Sequence, residues 1–375
     1  VSGKSISVAL AAIGVLGVGG YFGFATYSSH RAEQEIKAWT EQAAADGTTV
    51  AYESVKAAPF GGAVEIRNIE ATVADTGDRF TIDRVTVREL DRQHDTPQFG
   101  RIAVEGFRTN LSTLKPQQNP ALRDLDYDSI TASWELEYRQ DAEKMTGEVR
   151  DLEATFSGKN TEPTTGFTID RITLHELDRQ HDIPHFARVS MQGFEMPTDG
   201  WEPEQSKALQ DLGFDAIASD SEFNYRFDPA KGTVEISTQQ QIDKLGNLSG
   251  EFSFGNVELH GEEFAPSPNI SIRSASLTYK DDAFLPRLYQ YVADQQKVSV
   301  EDVKQQWIGG IGMLQVQGRG NPAAAQLATA LKQFVQDPKQ LRVSLSPEKP
   351  VVMGQLMFAS PNEIPGILGL KISAN

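Results

Sequence analysis

The sequence predicts a mainly β fold: an N-terminal transmembrane helix, tandem antiparallel β-sheet repeats, and a mixed α/β C-terminal region. Three observations carry this prediction. A 29-residue block recurs at an offset of 87 residues. Apolar and polar residues alternate strictly through long stretches of both copies. Ser5–Tyr27 is a run of 23 residues without a charge.

The uncharged run comes first along the chain. At about 1.5 Å per residue it is long enough for a bilayer core of about 30 Å. Tyr21, Phe22, Phe24 and Tyr27 gather at its C-terminal end, as an interfacial aromatic belt does. Lys4, just before it, favours a cytoplasmic N-terminus and a body on the far side of the membrane. The rival reading is a cleaved signal peptide, with Gly23-Phe24-Ala25 as its small-x-small site. The length of the run favours a retained anchor over residues 1–28. Gly19 and Gly23 form a small-xxx-small pair through which a second membrane helix can approach. Residues 29–47 follow as a polar helical stalk.

Repeat 1 spans 48–150 and repeat 2 spans 151–265. Phe80–Arg108 and Phe167–Glu195 agree at 18 of 29 positions, and the offset continues through Asp128/Asp215, Tyr138/Tyr225 and Lys144/Lys231. Two copies of one supersecondary unit therefore lie in series. Ile130, Ala132, Trp134, Leu136 and Tyr138 alternate with polar residues, which gives a strand with one wet face. Phe223, Tyr225 and Phe227 repeat the pattern in the second copy. After Phe80 and Ile82 the apolar series resumes at Val85 and Val87, so the alternation slips at Asp83-Arg84, and again at Asp170-Arg171. A β-bulge or tight bend accounts for such a slip. Further strands are expected near 50–56, 63–74, 99–108, 145–157, 186–195, 231–242, 247–260 and 268–280. Turns such as Asp228–Gly232 separate them, and half-solvated strands joined this way pair antiparallel.

The region 266–375 changes character. Phe284, Leu288, Tyr291 and Val292 fall at helical spacing within Asp281–Asp294. Ser299 to Asp302 resembles a capping box, followed by Val300, Val303, Trp307 and Ile311 on one face. Asn321-Pro322 opens a third helix with Leu327, Leu331, Phe334 and Val335 inward. Strands at 340–346 and 351–358, a helical turn at 363–368 and a final strand complete the chain.

Composition excludes several functions. With 35 basic and 52 acidic residues the net charge is −17, so the chain repels polyanions and nucleic acid is not its partner. There is no cysteine, so no disulfide framework exists. No G-x-S-x-G, P-loop, H-E-x-x-H or EF-hand pattern occurs, and the carboxylates are scattered, so no catalytic residue can be chosen. Gly318-Arg-Gly320-Asn-Pro-Ala323 matches a dinucleotide fingerprint by spacing, but its antiparallel surroundings favour helix capping. His175, Asp178, His181, Asp182 and His185 crowd together in the second copy. Arg88 and Gln98 replace His175 and His185 in the first, which excludes a duplicated metal site. The preferred reading is turn chemistry at Asp95-Thr-Pro97 and Asp182-Ile-Pro184, with His94 and His181 hydrogen-bonding the turn. The expectation is a non-enzymatic protein without metal or cofactor.

The stretch Tyr52-Glu-Ser-Val-Lys-Ala-Ala-Pro-Phe60-Gly-Gly-Ala-Val-Glu-Ile-Arg-Asn68-Ile, set behind a single anchor and a polar helix and followed by repetitive β units, resembles the YdgA-type and AsmA-like bacterial envelope proteins. The resemblance implies an inner-membrane anchor and a periplasmic β body. AsmA-like relatives are thought to form grooves that carry lipid, and no catalytic residues carry over. Two functions follow as expectations. In the first, the sheets handle membrane lipid on an apolar face lined by Trp134, Leu136, Tyr138, Phe223, Tyr225 and Phe227, residues that otherwise fill a core. In the second, the protein is a scaffold or accessory subunit that binds a membrane-protein partner or self-associates.

Overall fold

The structure is a computed structural model. It describes residues 36–37, 40–41, 43–45, 47–57, 63–74, 79–89, 98–110, 129–157, 165–181, 183–199, 201, 203–258, 269–317, 322–360 and 362–375. Ser5–Tyr27, with Gly19 and Gly23, lies outside them. Among the described residues no helix is long and apolar enough to cross a membrane. The chain is mainly β and divides into two compact units: residues 1–141, 145–173 and 193–202, and residues 142–144, 174–192 and 203–375.

The first unit is built on antiparallel neighbours. β3 (Ala63–Val73), β4 (Arg79–Arg88), β5 (Phe99–Asn110), β6 (Ser129–Gln140) and β7 (Lys144–Ser157) pair in chain order. Two short strands, β1 (Thr48–Ala51) and β2 (Ser54–Ala57), share the outer edge of β3. β8 (Thr165–Asp178) and β9 (Phe186–Pro197) each contribute residues to both units. Alternation places Ile66, Ile69, Ile82, Val85 and Val104 on the inward face, each 1% exposed or less. At about 1.5–3 kcal/mol per buried aliphatic side chain, this cluster anchors the unit. Ile36, from the helical stretch before β1, is fully buried against it.

The expected slip is present and wider than one strand. Phe80, Ile82, Val85 and Val87 are all buried, so the inward series of β4 steps by three at Asp83-Arg84. β3 keeps constant register with β4 across this point and takes the same step, with Asn68 left-handed at φ 49°. β5 follows at Glu105-Gly106, with Gly106 at φ 65°. There the register against β6 shifts, and the Gly106 N–H donates to the Ser133 hydroxyl at 2.9 Å. The bulge is therefore absorbed between β5 and β6, where a glycine takes the left-handed backbone without a Cβ penalty.

The second copy repeats these details and reveals more of the repeat than its 87-residue offset. Glu65-Ile-Arg-Asn-Ile-Glu-Ala-Thr-Val73 matches Glu148-Val-Arg-Asp-Leu-Glu-Ala-Thr-Phe156 at an offset of 83. Asp151, at φ 50°, stands where Asn68 does, and Gly193, at φ 64°, where Gly106 does. The side chain of Asp83 lies over Gly106, and that of Asp170 over Gly193. Arg84 pairs with Glu65 at 3.9 Å, and Arg171 with Glu148 at 3.0 Å. The rings of Phe80 and Phe107 lie 6.0 Å apart, and those of Phe167 and Phe194 5.8 Å. The unit of repetition thus begins at β3 and at β7, and the following loop is four residues longer in the second copy.

In the second unit, β10 (Ala216–Asp228), β11 (Thr233–Ile242), β12 (Gly246–Gly255) and β13 (Ser271–Asp281) form a meander. The other edge of β13 takes β14 (Gln340–Leu345) and the two-residue β15 (Val351–Val352), and β16 (Leu370–Ala374) closes the order beyond β14. Helix α1 (Pro203–Asp211) precedes β10. Helices α2 (Phe284–Gln296), α3 (Val300–Gln317) and α4 (Pro322–Gln336) lie between β13 and β14. Two short helices, α5 (Met353–Leu356) and α6 (Ile364–Ile367), lie between β15 and β16.

Several expectations are corrected here. The strand placed at 351–358 ends at Val352 and turns into α5. β13 begins at Ser271, which pairs with Val352, so later residues have no strand beside them. The buried ridge of α2 is Tyr289 and Ala293, with Val292 beside it, rather than Phe284–Leu288–Tyr291. In α4, Ala328, Ala330, Phe334 and Val335 are buried while Leu327 is 37% exposed. That helix serves two contacts, Val335 against α2 and α3 and Ala330/Phe334 against Tyr279 and Ile372, which rotates its inward face. Helix α1 has no counterpart among the expected elements. The capping box is as read: the Ser299 hydroxyl accepts from the Asp302 N–H at 3.1 Å, while Asp302 accepts from the Ser299 N–H at 3.1 Å.

Candidate functional site

The sheet of the second unit has two chemically distinct faces. Residues paired across antiparallel strands share a face, so register reads out each row. Phe223, Thr238, Gly250, Leu277, Val343 and Ile372 form one row. The adjoining row on the opposite face is Glu222, Gln239, Ser249, Thr278, Arg342 and Ser373. The apolar face is covered unevenly. At one end, Ala330 and Phe334 of α4 seat on Tyr279, Leu341, Ile372 and Ala374. Near the Asp228 turn, Tyr225 and Phe227 pack on Val234, Val257 and Ile270. Between these clusters Phe223, Leu248 and Leu277 stand 42%, 37% and 44% exposed.

The six residues expected to line an apolar face fall into two groups. In the first unit Tyr138 is buried in the core and Trp134 packs edge-on to Phe107 at 5.8 Å; Leu136 is half-buried. In the second unit Tyr225 and Phe227 are half-buried and Phe223 is the most open of the six. Burial pushes the Tyr225 hydroxyl above its ordinary pKa. Leu248 and Leu277 were not among the six. Leu277-Thr-Tyr279, an echo of Leu136-Glu-Tyr138, is the signal that points to Leu277.

A polar cluster occupies the β8–β9 connection. Asp178 ends β8 and is 4% exposed. Its carboxylate accepts the Gln180 N–H at 2.9 Å, the His185 N–H at 2.8 Å and the His181 Nδ1–H at 2.7 Å. Burial alone would raise the pKa of this carboxyl; the two backbone donors and the imidazole outweigh it and hold the pKa near 2. Asp178 thus organises this turn from its β8 side; Asp182, where the sequence placed the turn chemistry, lies outside the described residues. The rings of His181 and His185 stack with centroids 3.6 Å apart and planes 20° apart, and His185 rests edge-on against Phe227 at 5.4 Å. One donor atom each from Asp178, His181 and His185 lies within 4.8 Å of the others. His175 is engaged separately with Ser190 Oγ at 2.8 Å. His94 lies outside the described residues, as do Asp91–Pro97 around it.

A family model described as "Uncharacterized protein" matches residues 239–375, a little over a third of the chain. The matched stretch runs from within β11 to the C-terminus and includes Leu248 and Leu277. No curated protein matches the chain.

Proposed function

We propose that this is a non-enzymatic, membrane-anchored protein of the bacterial envelope whose periplasmic β body binds the acyl chains of membrane lipid. The observation that carries the reading is the uncovered middle of the apolar sheet face, with Phe223, Leu248 and Leu277 open between two packed clusters. A hydrocarbon chain laid there removes apolar surface from water on both partners, at about 0.8 kcal/mol per methylene. The adjoining face is polar and suits solvent. The resemblance to YdgA-type and AsmA-like proteins and the uncharged Ser5–Tyr27 run support the same reading from the sequence side.

The test is native mass spectrometry of the full chain released from its own membrane in mild detergent, beside the double variant Phe223→Ser/Leu277→Ser. Both positions are more than a third exposed, so the variant is expected to keep its fold, which circular dichroism checks. Lipid adducts on the parent chain that the double variant loses support the reading. A lipid-free parent chain, or adducts that the variant keeps, refutes it. Recovery of a lipid-free complex with another polypeptide, or with a second copy, moves the assignment to a scaffold.

A further inference from the structure

We propose that His181 and His185, positioned by Asp178, bind one divalent transition-metal cation of the zinc or copper class. The argument begins with tautomers. The buried Asp178 carboxylate accepts the Nδ1–H of His181, which leaves the Nε2 lone pair of that ring directed away from the carboxylate. A carboxylate behind a histidine in this way is the outer-shell arrangement that orients metal-ligating imidazoles and raises their basicity. His185 is fixed independently. Its N–H is held by Asp178 and its carbonyl accepts the Phe227 N–H at 2.7 Å, while its ring leans on Phe227. Among the described residues, neither His181 Nε2 nor either ring nitrogen of His185 has a hydrogen-bond partner. Two orientated imidazoles therefore present unclaimed nitrogens side by side.

The spacing suits one ion. Nitrogens about 2.0–2.1 Å from a tetrahedral centre lie about 3.3 Å apart, and one donor atom of His181 and one of His185 lie within 4.8 Å of each other. The rings stack with planes 20° apart, so their in-plane lone pairs run nearly parallel, and binding one ion requires the exposed His181 ring and the His185 ring to turn out of this stack toward each other. Two imidazoles with water in the remaining positions select zinc, copper or nickel over magnesium or calcium, which prefer oxygen. The net charge of −17 favours a cation at this exposed turn. Bound there, the ion ties His181 to His185 across the β8–β9 turn and steadies it. The first repeat has His94 but carries Gln98 where the second has His185, so one ion per chain is expected.

The experiment is calorimetric titration of the full chain with Zn2+ alone, after removal of adventitious metal. The variants are His185→Gln, which gives the second repeat the residue of the first, and His181→Gln, with His94→Gln as the control. One Zn2+ per chain is expected, weakened at least about tenfold by either ligand substitution and unchanged by the control, with no heat from Mg2+. The Cu2+ form should show electron paramagnetic coupling to two nitrogens, which tests the ligand pair even if one variant folds poorly. No saturable binding, binding unaffected by His185→Gln, or copper coupled to fewer than two nitrogens overturns the proposal.

Discussion

Replacing Gly106 by alanine tests the claim that the line of irregular residues across β3, β4 and β5 is a built feature of the repeat. Gly106 sits at φ 65°, where an L-residue costs about 1–2 kcal/mol. A Cβ there would also fall inside van der Waals contact with the Asp83 carboxylate. Moving Asp83 to a poorer rotamer adds about 0.5–1.5 kcal/mol. It also disturbs the two-pronged bond from Arg108, in which one Nη lies 2.8 Å from Asp83 Oδ1 and the other 2.5 Å from Oδ2. That pair is half exposed and adds at most about 1 kcal/mol. The sum is about 1.5–4.5 kcal/mol. Gly193→Ala meets the same backbone and the same aspartate, Asp170. Glu195 replaces Arg108 there, so its cost should fall at the lower end. Hydrogen exchange of peptides covering 99–110 and 130–140 reads local opening; a loss of about 2 kcal/mol speeds exchange about thirtyfold. Gly106→Ala/Asp83→Ala should recover about 1 kcal/mol while keeping the backbone penalty. Exchange within about twofold of the parent for Gly106→Ala, or no recovery in the double variant, refutes the reasoning.

Two further predictions concern single side chains. Asp178→Asn places an amide against three donors and should destabilise the β8–β9 connection by about 1–3 kcal/mol, read by hydrogen exchange of residues 178–192. Because the folded-state pKa of Asp178 is held near 2, its contribution is present above about pH 4 and fades as pH falls toward 2. The parent should show that acid dependence and Asp178→Asn should not. Ser299→Ala removes one arm of the reciprocal cap and should cost about 1 kcal/mol, seen as faster exchange in the first turn of α3 and unchanged exchange in β3–β6.

Much of the sheet was legible because strand alternation is local: Ile130 to Tyr138 carries its two faces in its own order of residues. The capping box of α3 was legible for the same reason, since Ser299 and Asp302 answer each other within one turn. Misread elements depend on distant partners. Val351–Phe358 looks extended, but its strand ends where β13 supplies no neighbour. The inward face of α4 is set by two contacts, Val335 toward the helices and Phe334 toward the sheet, and a single-face reading cannot resolve them. Asp178 was visible only as one of five crowded side chains; its role depends on the fold burying it and turning two backbone donors and an imidazole toward it. The upstream part of the repeat was missed because the loop after it differs by four residues, which moves Glu148–Phe156 off the 87-residue offset. The open Phe223, Leu248 and Leu277 are a matter of coverage, set by where α4 and the Val234 cluster end.

The pairing order has a consequence for synthesis. From β3 to β7, and again from β10 to β13, every strand bonds to the one made just before it. Most of these closures are short, the contact order of these stretches is low, and each hairpin can form as soon as its second strand is made. The β13–β14 pair departs from this rule, because α2, α3 and α4 must be completed between its two strands. Until they are, β13 presents an unpaired edge, so the open interval between Asp281 and Gln340 is where the nascent chain has most need of protection from aggregation.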